Sequence, residues 1–202
     1  MSDFLNSMAA SSAERAAAAG AIPESALDTV AVPLRLGAFD VIAEIKDRST
    51  AEGGLAQENA DRAERARQYA SGGAAAISVL TEPSKFDGSL EHLEEVVAAV
   101  PDTPVMRKDF LVDPVQILEA KRSGASGVLL IATMLDDATL RSMLDCAGEH
   151  GLFVLLESFD EPDLARSTKL LDNSADQQRA ERGELLFGVN TRDLRTLHVD
   201  PR

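Results

Sequence analysis

The sequence has few of the residues that mark secreted or membrane proteins. It contains one cysteine, Cys146, in 202 residues, so no internal disulfide can form, as is usual in a reducing cytoplasm. Tryptophan is absent and aromatic residues make up only 4%. No apolar run is long enough to span a membrane, and residues 2–19 lack the basic start and apolar centre of a secretory signal. We therefore predict a cytoplasmic protein without a membrane partner.

Positive charge is also scarce. The chain has 20 lysines and arginines against 34 acidic residues, a formal net charge of -14. Such a surface repels phosphate backbones, so no nucleic-acid partner is expected, although a local basic pocket can still bind a small anion. Cys146 lies among helix formers and is interpreted as a packing residue. His92, His150 and His198 share no spacing, so we interpret them as surface residues and predict no metal site.

Short apolar runs alternate with helical patterns along most of the chain. The runs are rich in valine, isoleucine and leucine, which is typical of strands buried on both faces of a parallel sheet. Strands are predicted at 41–46, 75–80, 105–108, 127–132, 152–157 and 185–190, and helices at 55–71, 90–100, 114–123, 137–149 and 161–171. The alternation predicts an α/β fold, either an open doubly wound sheet or a (β/α)8 barrel.

Two segments stand outside this alternation. Residues 1–39 contain an amphipathic pattern from Phe4 to Ala19 with Gly20 as its stop, followed by a short segment between Pro23 and Pro33. We predict an N-terminal helical extension at 1–39 that covers the mouth of a barrel domain at 40–202. The polar stretch 172–183 is interpreted as a helical extension or surface insertion with no chemistry.

Polar side chains gather at the carboxyl ends of the predicted strands. They are Glu44 and Lys46, Lys108, Glu157, and Asn190 with Arg192; the apolar Phe110 stands two residues after Lys108. Residues two apart on a strand point to the same side, and the strand ends of a barrel converge on one mouth. A lysine that loses solvent at such a mouth is suited to acid–base work. Residues 47–54 do not form a dinucleotide-binding glycine fingerprint, which also favours the barrel.

At these residues the chain resembles indole-3-glycerol phosphate synthase, a (β/α)8 TIM-barrel lyase (a carboxy-lyase) of tryptophan biosynthesis. The matching blocks are IAEIK at 42–46, ISVLTEPSKFDGS at 77–89, RKDF at 107–110 with Gln116 and Glu119 following, and GVNTRDL at 188–194. The resemblance covers essentially the whole chain, including the N-terminal extension. About six of the family's eight β/α units are present, so we expect a barrel that is incomplete at its carboxyl end.

The resemblance implies an activity. The family converts 1-(o-carboxyphenylamino)-1-deoxyribulose 5-phosphate, a phosphosugar, to indole-3-glycerol phosphate with loss of CO2 and water, and needs no metal or organic cofactor. It implies that Lys108 is the general acid of ring closure and that Glu157 transfers a proton in the final dehydration. Glu44 and Lys46 would complete the charged ring, with Lys46 near the substrate carboxylate or serving the later acid step.

The same resemblance assigns substrate-binding residues. Asn190 and Arg192 would orient the substrate, Phe110 would supply an apolar wall, and Ser49 would lie near the phosphate. The loop after Lys46 departs from the family's Arg-x-Ser-Pro-Ser pattern and reads Asp-Arg-Ser-Thr-Ala at 47–51, which bears on phosphate affinity.

Other interpretations remain open. Glu44–Lys46 or Glu157–Lys108 could be structural ion pairs, and Asp109 and Asp193 are interpreted as strand-end caps. The chain could be a truncated, non-catalytic barrel fragment or paralogue that self-associates through open strand edges. A different phosphosugar barrel, such as a phosphoribosylanthranilate isomerase-like enzyme, is disfavoured by the blocks at 77–89 and 107–110.

Overall fold

The computed structural model describes residues 2–49, 53–54, 61–190, 192–193 and 198–199. For 48–49, 53–54, 192–193 and 198–199 it describes the backbone and not the side chains. The first residues of the helix predicted at 55–71 lie outside the described part of the chain.

Six strands form one parallel sheet in the order in which they occur in the chain. They are β1 (Ile42–Ile45), β2 (Ala76–Leu80), β3 (Val105–Lys108), β4 (Gly127–Ile131), β5 (Phe153–Ser158) and β6 (Leu185–Val189). A doubly wound sheet reverses its strand order at a switch point, whereas the units of a (β/α)8 barrel follow one another without reversal. The described order is sequential throughout. The predicted barrel class with six units is therefore confirmed.

Eight α-helices lie between and around these strands in the described residues. They are α1 (Asp3–Ala18), α2 (Arg62–Ser71), α3 (Pro83–Phe86), α4 (Leu90–Ala99), α5 (Pro114–Arg122), α6 (Asp137–Glu149), α7 (Glu161–Thr168) and α8 (Ser174–Glu181). Short 3-10 helices occur at Glu24–Ala26, Ala132–Met134 and Lys169–Asp172. The helix predicted at 161–171 is thus α7 followed by a 3-10 turn.

Side-chain caps and glycines set the helix ends. Asp136 accepts a hydrogen bond from the Thr139 amide at the start of α6, as an N-cap does. Gly124 follows α5 with a φ of +82°, in the left-handed region that favours glycine. A Cβ there would lie 2.8 Å from Val97 Cγ1, so a side chain would also collide with α4.

The chain forms two compact units. The amino-terminal unit comprises Pro23–Asp109 and Glu119–Val128, and the carboxyl-terminal unit comprises Met1–Ile22, Phe110–Leu118 and Leu129–Arg202. Strands β1, β2 and β3 belong to the first, and β5 and β6 to the second.

In the amino-terminal unit, a buried ion-pair network lies on one face of β3. Arg107 is 2% exposed, and its guanidinium donates to Asp109 at 3.2 Å, Glu119 at 3.0 Å and the Thr81 hydroxyl at 3.2 Å. The Thr81 hydroxyl in turn donates to Asp109 at 2.8 Å. Buried charges are tolerated only when they are paired and hydrogen-bonded, and each group here has such partners. Asp109, directly after β3, therefore has a structural role as the ion-pair partner of Arg107 and is not a simple cap.

In the carboxyl-terminal unit, α1 packs against the residues that follow β3. Leu5 and Met8 are buried, and the Phe4 ring meets the Phe110 ring edge-on with centroids 5.9 Å apart. Gln116 donates to the Ser12 hydroxyl at 2.8 Å. An apolar and a polar contact thus fix the N-terminal helix beside Phe110.

The segment at 172–183 is helical, as predicted, but it is not a surface insertion throughout. Asp176 is 2% exposed and accepts hydrogen bonds from Arg141 on α6 at 2.5 and 3.1 Å. Arg179 is also buried and donates to the Leu144 carbonyl at 2.9 Å. Gly148 leaves room for this guanidinium, since a Cβ would lie 3.2 Å from Arg179 Cζ. The polar residues of α8 therefore pack against α6.

Replacing Asp109 with alanine should lower the free energy of unfolding of the amino-terminal unit. In Asp109→Ala, the buried Arg107 loses a counterion, and loss of one partner of a buried pair costs about 3–5 kcal/mol. Chemical denaturation should show this loss. In the control Arg182→Ala, the Arg182–Glu184 pair is exposed to solvent, so stability should not change measurably. Equal, small effects of the two substitutions would show that the network does not stabilise the fold.

Candidate active site

Lys108 lies at the carboxyl end of β3, where the sequence predicts it, and its side chain is 35% exposed. The parallel register aligns Glu44 with Ser78, Ser78 with Met106, and Leu80 with Lys108. Side chains alternate between the two faces along a strand, and residues paired between neighbouring strands point to the same face. Glu44, Ser78 and Lys108 therefore occupy one face of the sheet. Arg107, one residue earlier, faces the other side.

Glu44 connects two lysines on this face. Its Oε2 accepts a hydrogen bond from Lys108 Nζ, and its Oε1 lies 2.5 Å from Lys46 Nζ. We call Glu44, Lys46 and Lys108 the lysine–carboxylate group. Two ammonium groups share one carboxylate, so the group carries a net positive charge at the end of β1 and β3. Charge-assisted contacts of this kind are suited to binding an anion.

The electrostatics keep Glu44 ionised. Burial raises the pKa of the Glu44 carboxyl, but the charges of Lys108 and Lys46 and their hydrogen bonds outweigh burial and lower the pKa below its ordinary value of 4.5. At neutral pH, Glu44 is therefore a hydrogen-bond acceptor that holds two proton donors in position.

A second group of predicted residues lies in the carboxyl-terminal unit. Glu157 is in β5, paired in register with Gly188 of β6. The side-chain Nδ2 of Asn190 donates to Glu157 Oε1 at 3.2 Å, and the backbone N–H of Asn190 donates to the Ser158 carbonyl at 3.0 Å. The amide side chain thereby orients one carboxylate oxygen. Phe110 is buried and is held by Phe4.

Two predicted substrate-binding residues cannot be placed by their side chains. Ser49 lies in the two-residue strand Arg48–Ser49, which pairs with Gly53–Gly54, and Arg192 lies in Arg192–Asp193, which pairs with His198–Val199. Their side chains fall outside what the structure describes, as do those of Asp193 and His198. The roles of Ser49 and Arg192 stay predictions.

A polar cluster beside Lys46 is not predicted from the sequence. Asp47 accepts hydrogen bonds from Arg62 at 2.6 and 3.0 Å, and Arg62 also pairs with Glu95 at 3.2 Å. His92 Nδ1 lies 3.6 Å from the same Asp47 oxygen. The interpretation of His92 as a surface residue is thus wrong, because it is half-buried. The departure of Asp47 from the family's basic residue was the one signal in the sequence.

Burial and the charge of Arg62 lower the pKa of His92. The neutral form of His92 therefore predominates at pH 7, so its contact with Asp47 is mostly not an ion pair.

Neither a metal cluster nor a reactive thiol is evident in the described residues. They contain no group of three or more histidine, cysteine or acidic side chains that could hold a metal ion. Burial, followed by the charges of Glu149 and Asp113, raises the pKa of the Cys146 thiol to about 11. Cys146 is therefore a packing residue, in agreement with the prediction. None of the helices in this part of the chain is both long and apolar enough to cross a membrane.

The sequential β/α units, with the lysine–carboxylate group where such barrels place their active sites, define a protein of the (β/α)-barrel class. The family model for indole-3-glycerol phosphate synthase matches residues 25–202. The chain belongs to this family.

Curated relatives with similar sequences carry the name of the same family. The indole-3-glycerol phosphate synthase of Nocardioides sp. is 49% identical over 165 residues, which are 82% of this chain and 58% of the relative. The protein of that name from Methanopyrus kandleri is 48% identical, covering 79% of this chain and 58% of the relative. The one from Salinibacter ruber is 42% identical, covering 85% and 59%. The chain thus spans less than two thirds of the length of these relatives.

Replacing Glu44 should test how the lysines are held. Its carboxylate stabilises the fold fully above its ordinary pKa of 4.5, and this contribution is lost as the pH falls through the lower, folded value. Glu44→Gln should therefore lose about 1–3 kcal/mol at pH 7, with the difference from the wild type shrinking below pH 4.5.

Thermal unfolding from pH 7 to pH 3 measures this difference. Glu24→Gln, at an exposed position, serves as the control and should follow the wild type. A difference for Glu44→Gln that stays constant over the whole pH range would show that the ion pairs do not stabilise the fold.

Cys146 should resist thiol reagents in the folded protein. With a pKa of about 11, its thiolate fraction at pH 8 is on the order of a hundredfold below that of a free cysteine. Labelling with a maleimide or disulfide reagent, followed by mass spectrometry, should be slow in buffer and fast in denaturant. Rapid labelling of the native protein at pH 7 would contradict the packing role.

Proposed function

We propose that this chain carries the acid–base residues of an indole-3-glycerol phosphate synthase. The reaction closes the ring of 1-(o-carboxyphenylamino)-1-deoxyribulose 5-phosphate and releases CO2 and water. The observation that supports the proposal most directly is the position of Lys108. It ends β3 with its ammonium group on Glu44 and a second lysine, Lys46, on the same carboxylate.

Lys108 is the general acid of ring closure. As the aromatic carbon attacks the substrate carbonyl, the oxygen gains negative charge and needs a proton in the transition state. The Lys108 ammonium donates this proton. Glu44 holds the ammonium at the strand end, which limits the number of positions that Lys108 occupies before the substrate binds.

Lys46 receives the substrate carboxylate. The lysine–carboxylate group has one more positive than negative charge, so an incoming carboxylate finds an ammonium group to pair with. The overall charge of -14 repels anions at long range, and the local excess of positive charge opposes that repulsion.

Glu157 transfers the proton in the final dehydration. Its Oε1 is held by Asn190, which leaves the carboxylate orientated for this step. Phe110 contributes an apolar wall, and its contact with Phe4 supports the proposal that the extension at 1–39 covers the mouth of the barrel domain at 40–202. Ser49 near the phosphate and Arg192 at the substrate complete the proposed set.

We also propose that the substrate is a phosphosugar and that the reaction needs no metal or organic cofactor. The proposal further includes a cytoplasmic location without nucleic-acid or membrane partners.

Self-association is the second candidate. Strands β1 and β6 end the described sheet, and Val41 beside β1 is 51% exposed while Val189 of β6 is 66% exposed. Exposed apolar residues on terminal strands favour pairing with another chain. A non-catalytic chain that acts through these edges would form concentration-dependent oligomers without turnover.

Turnover tests the proposal. The purified chain is assayed with the carboxyphenylamino-deoxyribulose phosphate by indole fluorescence, and Lys108→Met is expected to lower kcat roughly 10²–10⁴-fold because the general acid is lost. Lys169→Met, at an exposed position in a 3-10 turn, is the matched control and should keep full activity.

Two results would contradict this function. Undiminished turnover by a folded Lys108→Met protein would remove the proposed acid. A folded wild-type chain that oligomerises and shows no turnover would support the second candidate instead.

A further inference from the structure

Ser78 is a buried serine that has no hydrogen-bond partner in the described part of the chain. It lies in the middle of β2, is 5% exposed, and its Oγ makes no hydrogen bond there. Buried hydroxyls are normally satisfied, because burial without a partner disfavours the folded state. A serine kept in this situation calls for a partner that appears in another state of the protein.

The neighbours of Ser78 identify this partner. In the sheet register, Ser78 stands between Glu44 of β1 and Met106 of β3, with all three side chains on one face. Neighbouring strands lie about 4.8 Å apart, so the Ser78 hydroxyl is within reach of the Glu44 carboxylate after a small rotation of either side chain. Met106 offers only a thioether, which is a weak acceptor.

Glu44 has the capacity for a further donor. Each of its oxygens takes one lysine, whereas a carboxylate accepts about four hydrogen bonds. Among the residues that the structure describes, the charged groups that face Glu44 are Lys46 from the end of its own strand and Lys108 from β3, whereas the β2 neighbour, Ser78, is uncharged. If both lysines turn to a substrate, the carboxylate loses its donors.

We infer that Ser78 is a positioning residue for Glu44. When Lys46 and Lys108 engage the substrate, the Ser78 hydroxyl donates a hydrogen bond to the Glu44 carboxylate and keeps it on the sheet face, so that both lysines can return to it. This inference rests on the proposed function, because it requires a ligand that draws the lysines away.

The inference predicts a difference between the free and the occupied protein. A hydrogen bond to a carboxylate favours its ionised form. In the free protein Ser78 does not bond Glu44, so its removal should leave the titration of Glu44 unchanged. In the complex its removal should raise the titration midpoint by about 1 pH unit.

Carboxyl 13C NMR measures this titration directly. Glu44 is followed in protein labelled with 13C-glutamate, with Glu44→Gln identifying its signal. The probe is the substrate with its carbonyl reduced to an alcohol, which cannot react. Ser78→Ala should shift the midpoint upward with the probe bound and not without it, and Ser78→Thr, which keeps the hydroxyl, should restore the wild-type value.

Ser126→Ala is the matched control. Ser126 is a buried serine of the same unit, but its hydroxyl accepts a hydrogen bond from the Val32 amide at 3.0 Å. This variant should melt at a lower temperature and leave the Glu44 titration unchanged. Ser78→Ala should melt at the same or a higher temperature than the wild type, because its hydroxyl loses no partner.

Three results would overturn the inference: equal midpoints in wild type and Ser78→Ala with the probe bound, a shift already present in the free protein, or no probe binding by the wild type. A turnover assay distinguishes failure of the Ser78 inference from failure of the proposed function. Normal turnover with equal midpoints overturns the role of Ser78 alone. Probe binding with the expected shift, but no turnover, overturns the proposed catalysis alone.

Discussion

The buried ion pair of Arg107 is the interaction on which the arrangement of the lysine–carboxylate group depends. Its guanidinium is fixed on one side of β3 by Asp109, Glu119 and Thr81. Because side chains alternate along a strand, fixing Arg107 on that side places Lys108 on the other. A slip of one residue would bury the Lys108 ammonium and expose the Arg107 guanidinium, and both changes cost free energy. The proton donor is thus positioned by a contact that it does not make itself.

The strands and the polar residues at their ends could be predicted from the sequence, for a physical reason. Strands β1 to β6 are apolar runs that need burial on both faces, and their polar ends follow from where the runs stop. Lys108 at the end of β3 and Glu44 near the end of β1 are therefore readable from local pattern. The polar strand ends and the family resemblance already favour the barrel over the doubly wound sheet, and the sequential strand order in the structure confirms that choice.

The remaining features depend on contacts between residues far apart in the chain. Lys108 and Glu44 are 64 residues apart, so periodicity cannot show that one carboxylate serves two lysines. Asp176 is an ordinary polar residue in sequence and becomes a buried one only because Arg141 of α6 meets it. Burial of a charged side chain is decided by its partner, and the partner is a tertiary feature.

The acidic residue after Lys46, Asp47, departs from the family pattern, and a tertiary partner limits the effect of that departure. Asp47 replaces a basic residue beside the lysine–carboxylate group, and an uncompensated carboxylate there would compete with Glu44 for Lys46. Instead, Asp47 takes two hydrogen bonds from Arg62, so its carboxylate is paired with a cation other than Lys46, and Arg62 is shared with Glu95. Lys46 remains on Glu44. The positive excess that the proposed substrate carboxylate requires is therefore retained despite the substitution.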